Sequence, residues 1–200
     1  MILPDGPHQP RIHPSARIAP TAVISGDVEI GPGTSVGFGA VIIAESGPVR
    51  IAGQTVIMDG AILRGLRGAA LSLDKHVMIG ARAVLNGCTV GEEAFIATGA
   101  TVFNGADIGA RCEVRINAIV HLRTKLAPDA MVPLGWVAVG DPAVILPPDR
   151  HDEIWAIQKE LNFPSFVFGV DRPADGQTIM PDVIPRYAAR LAKRHAGDTA

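Results

Sequence analysis

The sequence predicts an all-β fold, a chain wound as a triangular prism of short strands and followed by a helical extension. Three observations predict it: a six-residue aliphatic period, a small residue recurring in phase with it, and a composition rich in turn formers and poor in aromatics. From Val90 the aliphatic positions run Val90, Ile96, Val102, Ile108, Val114, Val120, Leu126, Val132 and Ala138, six residues apart each time. Four residues after the first seven stand Ala94, Ala100, Ala106, Cys112, Ala118, Thr124 and Ala130; Trp136 breaks this run near its end. The 200 residues include 22 Gly and 16 Pro but only 4% aromatics, as many tight turns between narrow coils require. One inward aliphatic and one inward small residue per hexad place one hexad on each face, three hexads per coil. Each coil buries its inner side only by stacking on the next. A β-sandwich would instead show alternating strands with turns every 8 to 12 residues or so.

The same register runs upstream through Ile18, Ile24, Ile30, Val36 and Ile42, then Ile51, Ile57 and Leu63, then Leu73, Ile79 and Leu85. Three breaks interrupt it. Ile42 to Ile51 spans nine residues and Leu63 to Leu73 spans ten, so two loops bulge from the prism, whereas Leu85 to Val90 spans five and tightens a corner. Loops on a rigid scaffold are where sites are usually built.

After Pro147-Pro148 the period changes. Asp149 is positioned to cap a helix with Ile154, Ile157 and Leu161 on one stripe, ending before Pro164. A Pro- and Gly-containing connector, about 164 to 181, leads to a second helix with Ile184, Tyr187 and Leu191 on one side and Arg186, Arg190, Lys193 and Arg194 on the other. The basic run reads as a solvated helix face. The expected division is a coil domain over 12–147 and a helical extension over 148–200, the extension packing along the prism or on a neighbouring subunit and covering an open coil end.

A net charge of −2 argues against a nucleic-acid surface. The longest apolar runs fall short of a membrane span, and the first residues, Met1-Ile2-Leu3-Pro4-Asp5, lack the layout of a secretory signal, so the expected location is cytoplasmic and no membrane partner is expected. Cys88 and Cys112 are too few for a disulfide framework and too far apart for a metal knuckle.

Several segments carry a resemblance: Gly47-Pro48-Val49-Arg50-Ile51, Met58-Asp59-Gly60-Ala61, Leu85-Asn86-Gly87-Cys88-Thr89-Val90-Gly91 and Val139-Gly140-Asp141-Pro142-Ala143. With the hexads, they resemble the γ-carbonic-anhydrase branch of the hexapeptide-repeat superfamily over about residues 12 to 147. The resemblance implies a left-handed parallel β-helix, a homotrimer, and a zinc ion held between subunits by three histidines. In this chain the three ligand positions fall at Arg64, Ala81 and Asn86. A guanidinium offers no lone pair and stays charged, alanine offers nothing, and a neutral carboxamide is a poor zinc ligand. The family's arginine and aspartate before Gly-Pro fall at Ile43 and Glu45, and its glutamine before Asp59 is Met58; Arg50 and Asp59 remain.

The expectation is therefore a trimer without metal or other cofactor, and not a zinc-dependent carbonic anhydrase. Arg64, Arg82 and Asn86, with Asp59 and Glu45 nearby, would present donors to a small anionic metabolite, because guanidinium forks suit planar anions. The competing assignment has Arg64 merely pairing with Asp59 or Glu45 across the trimer interface, filling the vacated space. His121 is two coils beyond Asn86 on the same face, about 10 Å away and too far to share its metal. It is a candidate general base for acyl transfer or acyl-CoA hydrolysis, or an outward histidine hydrogen-bonded to Glu113 or to a neighbouring chain. His76 lies on another face and could approach only from a neighbouring subunit. A structural or assembly subunit without catalysis is the third reading.

Overall fold

A computed structural model describes residues 1–197, with side chains described through residue 192. Twenty-three short strands form three sheets, and each sheet is one face of a prism. Face 1 contains Val23–Ser25, Val41–Ala44, Ile62–Gly65, Val84–Asn86, Thr101–Val102, Ile119–Val120 and Val137–Val139 among its nine strands; faces 2 and 3 have seven each. Within each face the order is that of every third strand, and successive coils pair in parallel. The predicted β-solenoid is thus present. The coil starts earlier than residue 12, because Ile2–Leu3 already pairs with Ile24 and Ser25.

Register follows from the hexads. On face 1 Leu63 lies opposite Leu85, Leu85 opposite Val102, Val102 opposite Val120, and Val120 opposite Ala138. These side chains are buried, as are the phased small residues Ala94, Ala100, Ala106, Cys112 and Ala118. Each fully buried aliphatic contributes about 1.5–3 kcal/mol relative to exposure. Inward threonines satisfy their hydroxyls locally: Thr55 donates to the carbonyls of Ala52 and Asp74, and Thr124 to that of Ala138.

All three breaks in the hexad count stack on one corner, between faces 1 and 2. The loops after Val41–Ala44 and Ile62–Gly65 pack backbone on backbone: Ser46 N–H donates to the Gly65 carbonyl, and a Cβ on Gly65 would collide with the carbonyls of Gly47 and Pro48. The tight corner above them uses Gly87 at φ +45°, whose N–H donates to the Arg64 carbonyl at 2.7 Å.

At the far end Val144–Leu146 turns back antiparallel on Val137–Val139 and closes the edge of face 1. Helix α1, His151–Glu160, then sets Ile154 against Val137, Leu146 and Ile119. Asp149 does not cap it. Arg150 holds the N-cap position with no side-chain cap, its guanidinium turned instead to Glu153. The expected connector contains one π-helical turn, Pro164–Phe168, and leads to α2, Met180–Gly197. In α2 the side chain that packs is Val183; Ile184, Tyr187 and Leu191 remain exposed on this chain, so the predicted stripe is one position out of phase with the contact. Lys193 and Arg194 lie outside the described side chains.

Because the two loops share one close backbone contact, Gly65→Ala is expected to lower the urea-unfolding midpoint by the equivalent of about 1–3 kcal/mol. An unchanged midpoint would show that the loops part without cost.

Candidate functional site

Face 1 carries one outward residue at the end of each strand, and the register stacks these into a column. Arg64 lies opposite both Ile43 and Asn86. Phe103 and His121 continue the column, their amides donating to the carbonyls of Val120 and Ala138 on the next coils. Arg64 is exposed, Asn86 half-buried and His121 buried. The structure therefore brings Arg64 and Asn86 together, as the sequence count requires.

It does not bring them to Ala81, Arg82 and Asp59. Those three occupy the opposite edge of face 1, at the corner with face 3, where Arg82 N–H donates to the Asp59 carbonyl at 3.0 Å. Four residues of extended chain separate Arg82 from Asn86, about 13 Å. Arg82 sits at φ +57° in a corner column otherwise held at its level by Gly60 and Gly99. A left-handed backbone costs a non-glycine residue about 1–2 kcal/mol. Asp59 Oδ1 accepts the Phe38 N–H at 2.7 Å, which fixes the carboxylate against its own corner. The candidate residues thus form two half-sites on opposite edges of one face.

Glu45 is committed elsewhere. Its carboxylate, in a largely buried side chain, pairs with Arg190 of α2 at 2.9 Å, and Arg190 also donates to Ser46 Oγ at 3.0 Å. Ser46 Oγ in turn accepts the Arg67 N–H at 2.9 Å, joining both loops to the helix. Arg64 therefore takes neither Glu45 nor Asp59 as a partner within the chain, and among the described residues neither Arg64 nor Arg82 makes a salt bridge. Arg190 was missed by the sequence reading, which placed it on a solvated face. Its basic neighbours masked the signal, since nothing in the local pattern marks which arginine meets a carboxylate 145 residues upstream.

His121 differs from expectation as well. Glu113 pairs with Arg115, at 3.0 Å, and not with His121. The imidazole instead lies between Phe103 and Phe163 of the C-terminal segment, with ring centroids 5.6 and 6.4 Å away, and its Nδ1 has no hydrogen-bond partner. Burial lowers its pKa below the ordinary histidine value. His76, on the corner between faces 2 and 3, hydrogen-bonds through Nε2 to Gln54 Oε1 at 2.6 Å and lies beside Glu92 and Glu93; this cluster is exposed and remote from face 1's column.

The Hexapep family, bacterial transferase hexapeptide (six repeats), matches residues 9–44. Over 194 residues the chain is 33% identical to "Gamma carbonic anhydrase 1, mitochondrial" of Arabidopsis thaliana, an alignment spanning 94% of this chain and 67% of that one. The chain belongs to the γ-carbonic-anhydrase-like hexapeptide-repeat family. It is also 32% identical over 100 residues to the carnitine operon protein CaiE of Escherichia coli, covering 50% of this chain and 51% of that protein. Among solved structures, a putative acetyltransferase of Bacillus cereus superposes with a TM-score of 0.55 at 26% identity, covering 80% of this chain and 91% of that one.

The zinc ion that the resemblance implies does not fit the residues of this γ-carbonic-anhydrase-like chain. At the three positions stand an exposed guanidinium, a methyl group and a carboxamide, and the guanidinium is directly opposite the carboxamide on the adjacent strand. A fixed positive charge with no lone pair repels a divalent cation from the one oxygen that could ligate it. No step here is assigned to a metal.

The cysteines are core filler. Burial pushes the Cys88 thiol up to about 12 and raises that of Cys112, whose Sγ–H donates to the Ala127 carbonyl. In the native protein at pH 8, neither is expected to react with Ellman's reagent within minutes, and both are expected to react after unfolding in guanidinium. Rapid reaction of one thiol in the folded state would contradict this burial.

Proposed function

We propose that this protein is a homotrimer that works without the family's zinc and binds a small carboxylate- or acyl-bearing anion between subunits. One protomer contributes Arg64 and Asn86; its neighbour contributes Arg82, next to the emptied Ala81 position. The observation that carries this reading is the split of the candidate residues between opposite edges of face 1. Two such half-sites complete each other only when one edge meets the other edge of another copy, a head-to-tail contact that closes into a ring. The exposed apolar side chains along the Arg82 edge, Phe38, Ile116 and Leu134, supply surface for that contact.

The chemistry follows from charge. Among the described residues Arg64 and Arg82 make no salt bridge, and a guanidinium gives two parallel N–H donors matched to the oxygens of a carboxylate or bicarbonate. The Asn86 carboxamide adds a neutral donor. In a subunit cleft of lowered dielectric these hydrogen bonds gain strength, and the cationic pair favours anions over cations.

A second reading, acyl transfer with His121 as general base, draws support from the similarity to a putative acetyltransferase. The covered imidazole weighs against it: Phe163 occupies the approach to the ring.

Light scattering is expected to give three times the protomer mass of 20.9 kDa. Millimolar bicarbonate, acetate or phosphate should raise the melting temperature, by about 2.7 kcal/mol of added stability at a hundredfold excess over Kd. Arg64→Ala and Arg82→Ala are each expected to abolish the shift without dissociating the trimer, and coexpressing the two variants should restore part of it. A shift untouched by either substitution, or stoichiometric zinc with hydration activity, would defeat the proposal. Turnover of acetyl-CoA lost in His121→Ala would favour the second reading.

A further inference from the structure

Among the described residues, His121 Nδ1 is the one buried side-chain nitrogen or oxygen without a hydrogen-bond partner. His121 itself is 9% exposed. The surroundings explain why the ring stays dry. Phe103 lies on the strand before it, Val139 holds the next register position after it, and Phe163 covers it from outside. From Phe163 an unbroken aromatic line runs back along the prism. Phe163 meets Phe168 at 5.8 Å, Phe168 meets Tyr187 at 5.9 Å, and the Arg190 guanidinium lies 5.8 Å from the Tyr187 ring before reaching Glu45 and Ser46. The C-terminal segment is fastened by aromatic contact at His121, by the Arg123 guanidinium beside the Phe166 ring, by the buried Val183 and by the ion pair at Glu45.

We infer that residues 162–190 form a pH-released strap along face 1, closed while His121 is neutral and lifted when a second proton on the imidazole requires an acceptor that Phe103 and Phe163 cannot supply. In the neutral ring the buried Nδ1 is an unmatched lone pair or an unmatched N–H, in either case without charge. Protonated, it becomes a charged N–H facing hydrocarbon, and the way to hydrate it is to move Phe163 aside.

The nearby charged groups do not offset this. On the turn after His121, Arg123 places its guanidinium 5.9 Å from the Phe166 ring, and on the following strand Lys125 pairs with Asp141 at 2.7 Å. From the strap, Arg172 stacks over Trp155 and donates to the Lys159 carbonyl. Burial alone depresses the His121 titration, with no neighbouring carboxylate to raise it. The sign follows. A histidine whose pKa is lowered in the closed state, relative to about 6.5 when open, leaves closure at full strength above 6.5. Closure weakens as pH falls below 6.5, by up to about tenfold in the closed-to-open ratio per pH unit, until the lowered value is passed. The inference does not depend on the anion site.

Hydrogen–deuterium exchange of the full-length protein at pH 7.5 and 5.5, with labelling times scaled to the intrinsic rate, tests it. Peptides covering 162–190 are expected to lose protection by several-fold, up to about tenfold, at the lower pH, while peptides covering 84–102 of the prism keep theirs. In His121→Phe the strap should stay protected at both values. In Phe163→Ala it should be unprotected at both, with the prism unchanged, which tests the cover even if the first variant folds poorly. Equal protection of the wild-type strap at both pH values would overturn the proposal. So would an equal loss in His121→Phe, which would point to another group such as His151, or a pH step retained in Phe163→Ala.

Discussion

Coil-on-coil register is the constraint on which the rest of the structure depends. Because each hexad must place its aliphatic above that of the previous coil, every outward side chain has a fixed neighbour one strand spacing away. Leu63 over Leu85 decides that Arg64 lies over Asn86, and Val102 over Val120 decides that Phe103 lies over His121. A slip of one residue would turn the inward aliphatics outward, so the hydrophobic core holds the surface column in place at no separate cost. The same rule stacks irregularities. The two long loops and the tight corner lie on one edge because each follows a face 1 strand, and their backbones then become close enough that only glycine fits at Gly65.

The C-terminal extension completes this edge in a way the repeat cannot. An outward carboxylate in a loop that stands away from the prism has no partner from its own coil. Ile43, on the strand leading to Glu45, is apolar where the resemblance expects an arginine, and the guanidinium that meets Glu45 comes from α2. Ser46 is drawn into the same contact and, by accepting the Arg67 amide, links the second loop to it. At the other end the segment buries the one histidine of the column. The strap has little buried apolar area of its own, Val183 being its buried aliphatic on α2. Such segments belong to the low-stability end of a protein's opening spectrum.

The repeat was legible in the sequence because each inward position must be aliphatic or small whatever the coil does outside, so the signal recurs at every hexad from Ile18 to Ala138. The pairing of Arg64 with Asn86 followed by counting alone. What counting could not reach were contacts that join distant segments without any period: Arg190 to Glu45, and Phe163 to His121. Helix phase was also lost at the tail. Ile184, Tyr187 and Leu191 make a good amphipathic stripe, but which side of that stripe faces the prism is set by the line of Phe168 and Tyr187 and by the reach of Arg190, and the packing falls to Val183. Asp149 failed as a cap because Arg150 intervenes before the helix and turns to Glu153.

The charge arrangement of face 1 bears on how such a surface associates. Arg64 and Arg82 lie on opposite edges, and the two carboxylates of the candidate set are engaged, Asp59 by the Phe38 amide and Glu45 by Arg190. Two copies meeting edge to edge would therefore bring two guanidinium groups into one cleft, with Asp59 on the Arg82 edge the carboxylate near them. At a separation of a few ångströms that repulsion is several kcal/mol at an intermediate dielectric, enough to oppose the apolar contact of Phe38, Ile116 and Leu134. A small anion bridging the two forks reverses the sign of the interaction. On the proposed reading the ligand is thus part of what makes the contact favourable, and its chemistry is set by the two guanidinium forks it bridges.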